Sequence, residues 1–120
     1  MQIAAAVLVV IVAGLHLYFL VLEMFLWRTP FGRRTFNMSQ EVADSSAVLA
    51  ANQGLYNGFL AAGLLWGLIG YGVVSGRPIL TFFLACVIVA GLYGAATVNR
   101  RIAVVQSLPA AVALGLVWLA

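Results

Sequence analysis

Charge is scarce in this chain. Only 8% of the 120 residues are charged, none is lysine, and the acidic residues number three, Glu23, Glu41 and Asp44. Soluble domains carry about a quarter of their residues as charge, so an ordinary water-facing surface is excluded. The net charge of +3 comes entirely from arginine and reads as topology information; nucleic acid is not expected as a partner. The single cysteine, Cys86, rules out an intrachain disulfide and any paired-thiolate metal or redox site. It lies in the apolar run Phe82 to Ile88 and reads as a small packing residue. There is no P-loop, dinucleotide fingerprint, serine-hydrolase elbow or zincin pair. No catalytic residue, metal site or cofactor is therefore assigned, and an enzyme is the less favoured class.

What remains is apolar. Hydrophobic residues make up 65% of the chain and the mean hydropathy is +1.13. Four long apolar runs fall at 3–27, 55–74, 79–98 and 102–120, each near the roughly 20 residues a bilayer-spanning helix requires. Only 75–78 and 99–101 separate the last three, so those neighbours are expected to be antiparallel. The predicted fold is all-α: a polytopic membrane protein, 1–120 a single integral domain, built as a four-transmembrane-helix up-and-down bundle. The long connection 28–54 opens with the turn-forming Thr29-Pro30-Phe31-Gly32. Asn37, with Gln40 three residues on, is the expected capping pair for a short interfacial helix that begins near Ser39 and leads into helix two.

The first run lacks the basic start and short apolar core of a cleaved signal peptide and is expected to be retained. Arg28, Arg33, Arg34, Arg100 and Arg101 fall in the connections 28–54 and 99–101, against Arg77 alone on the other side. The positive-inside rule then puts those two connections in the cytoplasm and both termini outside the cell membrane. Trp27 and Trp118 fit interfacial anchors, whereas Trp66 reads as packed.

Polar residues inside the apolar runs carry the functional information. His16 and Glu23 are seven residues apart, two helical turns and about 10.5 Å of rise, facing nearly the same way. With Phe19 and Leu20 they line one stripe. An ionised carboxylate at membrane depth costs a few kcal/mol and meets the negative end of its own helix dipole, so Glu23 needs compensation. It either pairs with a nearby arginine as an anchor, or serves as a proton-responsive or cation-binding group. His16 likewise fits an interhelical hydrogen bond as well as a ligand. A second constellation, Asn52, Gln53, Tyr56 and Asn57, enters the membrane at the depth of Glu23. It forms with Glu23 either a structural clasp or a ligand site. The small residues Gly54, Gly58 and Ala62, and Gly63 with Gly67, allow helix backbones to approach closely.

Three stretches, His16 to Trp27, Thr29-Pro-Phe-Gly-Arg-Arg-Thr-Phe36 and Ala50 to Gly67, resemble the small bacterial and fungal integral membrane proteins grouped as domain-of-unknown-function family thirteen-oh-four. The resemblance covers nearly the whole chain and implies four transmembrane helices of about this length.

Three functions of different class are compatible with these residues. The favoured one is a transporter or channel component, or a small-ligand-binding membrane protein, using His16, Glu23, Asn52, Gln53, Tyr56 and Asn57. The second is an interfacial enzyme or lipid-binding protein, using Tyr56 and nearby arginines to position an amphipathic ligand, with Arg28, Arg33, Arg34, Arg100 and Arg101 as the basic, anion-contacting candidates. The third is an accessory subunit of a membrane complex. The expected partners are the lipid bilayer, a second copy or another membrane protein, and a small amphipathic ligand.

Overall fold

The computed structural model describes all 120 residues. It contains five α-helices, α1 (Gln2–Met24), α2 (Pro30–Thr35), α3 (Gln40–Ser75), α4 (Arg77–Thr97) and α5 (Leu108–Leu119), with a π-helical turn over Ala103–Ser107 leading into α5. No strand forms. The all-helical expectation holds, but the helix count is five.

Two of the differences lie in the long connection. Thr29-Pro30 starts a helix where a turn was expected: the Thr29 hydroxyl accepts the Gly32 N–H at 3.2 Å, and proline at the first helical position gives up an N–H that would have no partner there. The expected interfacial helix and helix two run without a break from Gln40 as one element, α3, whose backbone leaves the helical region only near its end, at Gly72 with φ of 85°. Between Gln40 and Leu55 there is no proline, and the alanine-rich composition favours helix throughout. Its cap is Ser39, whose Oγ accepts the Val42 N–H at 3.2 Å, in place of Asn37. Asn37 instead ends α2 with φ of 50°, the left-handed conformation that asparagine tolerates at a helix C-terminus.

By length and apolarity α1, α3 and α4 are each able to cross a membrane. The fourth segment, expected as a span over 102–120, is a shorter apolar helix, Ala103–Leu119. At 1.5 Å per residue its 17 residues rise only about 25 Å, against roughly 30 Å of hydrocarbon. Proline explains the π-helical turn: Pro109 has no N–H for the carbonyl four residues back, and the chain widens just before it. The Leu108 N–H bonds the Ala103 carbonyl five residues back.

Contacts group the chain into two compact units, residues 1–14 with 60–120, and residues 15–59. The first is centred on Ala5, Val9 and Val12 of α1, Ala61 and Leu64 of α3, Leu80, Leu84 and Val87 of α4, and Ala110, Ala113 and Val117 of α5. Their three- and four-residue spacings place one face of each helix inward. Glycines set the distances: a Cβ on Gly63 would overlap the Phe83 ring, and one on Gly91 would overlap the Ser107 hydroxyl. The Ser107 Oγ donates to the Ile88 carbonyl at 2.8 Å, so this buried hydroxyl is satisfied. Gly63 against Phe83 and Gly67 against Leu80 give an antiparallel α3–α4 pairing, and Ser107 against Ile88 with Trp118 against Thr81 gives the same for α4 and α5.

Arg77 closes this unit. Its Nε donates to the Val117 carbonyl at 3.0 Å and its Nη2 to the Ala120 carbonyl, while the guanidinium lies 5.4 Å from the centre of the Trp118 ring. A cation is thereby set where the α5 dipole is negative and carbonyls lack helical partners. Trp66, expected to be packed, is 56% exposed and meets Tyr71 edge-on. Ala62 is also exposed and takes no part in the close packing of the small-residue rows. Ile3, Ile69, Val89 and Leu92 are exposed as well, so this unit carries large apolar side chains on its surface.

Candidate functional site

The unit 15–59 holds the polar residues singled out from the sequence. In α3, Ala43, Ala50, Gly54 and Asn57 are buried and Ala47 is half-buried. The spacing alternates between four and three residues, so they form one narrow stripe along the helix. The missing side chain at Gly54 lets α3 approach α1: a Cβ there would stand 2.8 Å from Met24 Cγ and 3.1 Å from Glu23 Cβ. Gly58 plays the same part against Leu20. Asn57, one turn from Gly54 on the same stripe, is then carried to the end of α1, where its Nδ2 donates to Glu23 Oε1 at 2.5 Å. A carboxylate only accepts, so the amide nitrogen is the end that must face it.

Glu23 is half-buried and opens onto a cleft of about 560 Å³ lined also by Met24, Phe25, Trp27, Arg28, Asp44 and Val48. Trp27 is fixed on two sides: its Nε1 donates to Ser46 Oγ at 3.0 Å, and its ring lies 4.8 Å from that of Phe36. Ser46 in turn donates to the Val42 carbonyl at 2.6 Å. Thr29, a further lining residue, is held by a 2.6 Å bond from its hydroxyl to the Leu26 carbonyl. The cleft thus combines two carboxylates, one guanidinium and apolar side chains.

Of the sequence-selected residues, the structure brings together Glu23 and Asn57. Asn52, Gln53 and Tyr56 are exposed because they fall off the buried stripe; Tyr56 meets the Phe59 ring edge-on at 5.9 Å. His16 is fully buried, its ring edge-on to Phe19 at 5.4 Å, and it does not line the cleft. Arg28 is exposed at the cleft, Arg33 is half-buried and Arg34 exposed on α2, and Arg100 and Arg101 are exposed after α4. No arginine nitrogen lies within 4.0 Å of an Asp or Glu carboxylate oxygen, so the ion-pair anchor considered for Glu23 does not form.

Sequence reasoning missed Asp44, Ala47, Val48 and Ala51 as lining residues. Their spacing of three, four and seven from Asp44 is the mark of one helix face. In the sequence alone 28–54 reads mainly as a connection, which hides this face.

Residues 10–118 match the family described as "Protein of unknown function (DUF1304)". The chain belongs to this family. A relative in Lactococcus lactis subsp. lactis (strain IL1403), "Uncharacterized protein YpaA", is 33% identical over 108 residues, covering 88% of this chain and 89% of the relative. No solved structure matches the chain. The Glu23–Asn57 pair and nearly all of both compact units lie within the matched region.

Proposed function

We propose that this family member is a cell-membrane protein that binds a small amphipathic molecule, with Glu23 receiving a protonated amine and the apolar wall of the cleft receiving the tail. The observation that carries this reading is a half-buried carboxylate that takes its hydrogen bond from a neutral amide, with no arginine paired to it, and opens on a cleft. Neutral hydrogen bonding leaves the negative charge uncompensated, and a cationic ligand group supplies what the protein does not. In this reading the helices cross the bilayer, the connections 28–54 and 99–101 are cytoplasmic, and both termini are outside. A role as a component of a transporter or channel is the extended form of the same proposal, with a second copy or a partner protein completing a pathway.

The test is native mass spectrometry of the purified chain in neutral detergent, titrated with decylamine and, in parallel, with decanol. Wild type is expected to bind the amine, and Glu23→Gln to lose about tenfold in affinity, the worth of one charge-assisted hydrogen bond. Equal binding of amine and alcohol, or an unchanged affinity in Glu23→Gln, overturns the reading.

One alternative has an observation of its own. The Glu23–Asn57 bond joins two helices 34 residues apart in sequence, which is also what a structural clasp in an accessory subunit requires. In that case Glu23→Gln alters stability or assembly, and neither probe binds.

A further inference from the structure

The segment Thr29 to Phe36 contributes only Thr29 to the Glu23 cleft, yet it is held by a set of specific local contacts. An isolated helix of six residues does not persist, since about 12–15 are needed even in favourable sequences. Five local devices hold α2. Thr29 caps it and Pro30 opens it. Gly32 lies so close to the end of α1 that a Cβ would overlap the Leu26 carbonyl and stand 2.8 Å from that of Trp27. The chain leaves through a Schellman motif, with the Met38 N–H on the Arg33 carbonyl at 2.9 Å and the Asn37 N–H on the Arg34 carbonyl at 3.3 Å. Phe36 then packs on Trp27. The consequence is a small rigid platform whose two charged residues are Arg33 and Arg34.

The surroundings of Arg33 are unusual. Its Nε is shielded from solvent and meets no acceptor from the protein, an arrangement that native structures rarely keep without a use. Neither Arg33 nor Arg34 has a carboxylate within 4.0 Å, although Glu41 and Asp44 follow closely in the chain. Phe31 and Phe36 expose apolar surface on the same segment, which begins five residues after the apolar helix α1 ends. Cationic and aromatic side chains just beyond a spanning helix belong at the depth of lipid headgroups.

We infer that Arg33 is the centre of a phosphate-binding site on α2, with Arg34 as a second contact. Arg33 is half-buried, and its two Nη groups, beyond the shielded Nε, carry no bond to the protein; they offer two parallel N–H groups matched to two phosphate oxygens. Arg34 projects about 100° further round the helix and reaches the same layer on its long stem. Phe31 and Phe36 take the apolar part of the ligand. The phosphate belongs either to a phospholipid headgroup or to a soluble phosphate ester. The site is independent of Glu23.

The experiment uses the full chain, delipidated in neutral detergent, with binding of dioctanoyl phosphatidylglycerol read by native mass spectrometry and glycerol 3-phosphate added as competitor. Arg33→Gln is expected to weaken lipid binding about tenfold or more, and Arg33→Lys nearly as much because charge remains while the fork is lost. The double variant Arg100→Gln, Arg101→Gln is expected to stay within about twofold of wild type, as surface charge contributes little. Competition by glycerol 3-phosphate assigns the site to the phosphate group itself; absence of competition assigns it to the lipid headgroup. Unchanged binding in Arg33→Gln, or an equal loss in the Arg100, Arg101 variant, overturns the proposal. Should Arg33→Gln fail to fold, the exposed Arg34→Gln decides: a severalfold loss supports the site and wild-type affinity overturns it.

Discussion

Asn57 Nδ2 lies 2.5 Å from Glu23 Oε1, joining the end of α1 to the middle of α3. Asn57 is 4% exposed, so this bond is also how a buried amide is satisfied. Replacing Asn57 by leucine leaves the half-buried carboxylate without its donor. Such a loss costs about 1–3 kcal/mol, whereas Glu23→Gln retains an acceptor for the Asn57 amide and costs less. Equilibrium unfolding of both variants and of the double variant in the same detergent measures this. Asn57→Leu as mild as Glu23→Gln would show that the pair contributes nothing to the fold.

Gly63 and Phe83 set the separation of α3 and α4. A Cβ on Gly63 overlaps the Phe83 ring, so Gly63→Ala is expected to destabilise by about 1–3 kcal/mol through overpacking. Phe83→Leu in the same chain removes the obstacle and is expected to recover part of that loss. Thermal unfolding of the single and double variants checks the coupling; additive effects would mean that the two residues do not meet.

Arg77 is predicted to hold the last turn of α5. Arg77→Met removes two bonds to carbonyls and the contact with Trp118. Faster amide hydrogen exchange is expected at Leu119 and Ala120, with a stability loss of about 1–3 kcal/mol. Arg77→Lys keeps the charge near the helix end but lacks the fork, so an intermediate effect is expected. Exchange rates unchanged in Arg77→Met would remove the cap from the account.

Two neighbouring residues separate cap from exit. Ser39→Ala is expected to cost about 1 kcal/mol by leaving the Val42 N–H without its acceptor. Asn37→Gly is expected to be neutral or stabilising, because glycine favours the positive φ found there. Asn37→Val, with a branched side chain in the left-handed region, is expected to destabilise by about 1–2 kcal/mol. If Asn37 were the cap, Asn37→Gly and Ser39→Ala would exchange their effects.

Much of this protein was legible in the residues alone. Long apolar runs with few prolines dictate helices, and short polar gaps dictate antiparallel neighbours, because a chain of three or four residues can only turn back. Glu23 stood out because a carboxylate in such a run has to find compensation wherever the chain folds. The tertiary structure decided who supplies it. Four polar side chains, Asn52, Gln53, Tyr56 and Asn57, were equivalent candidates by composition, and only Asn57 shares the stripe that Gly54 lets press against α1. The same kind of decision made Ser39 the cap, joined the two expected helices into α3, and turned Thr29-Pro30 into the start of α2. It also placed Trp66 on the outside. Which face of a helix is buried depends on where its neighbour's small residues allow approach, and that is a property of two segments together. Periodicity in one segment alone does not contain it.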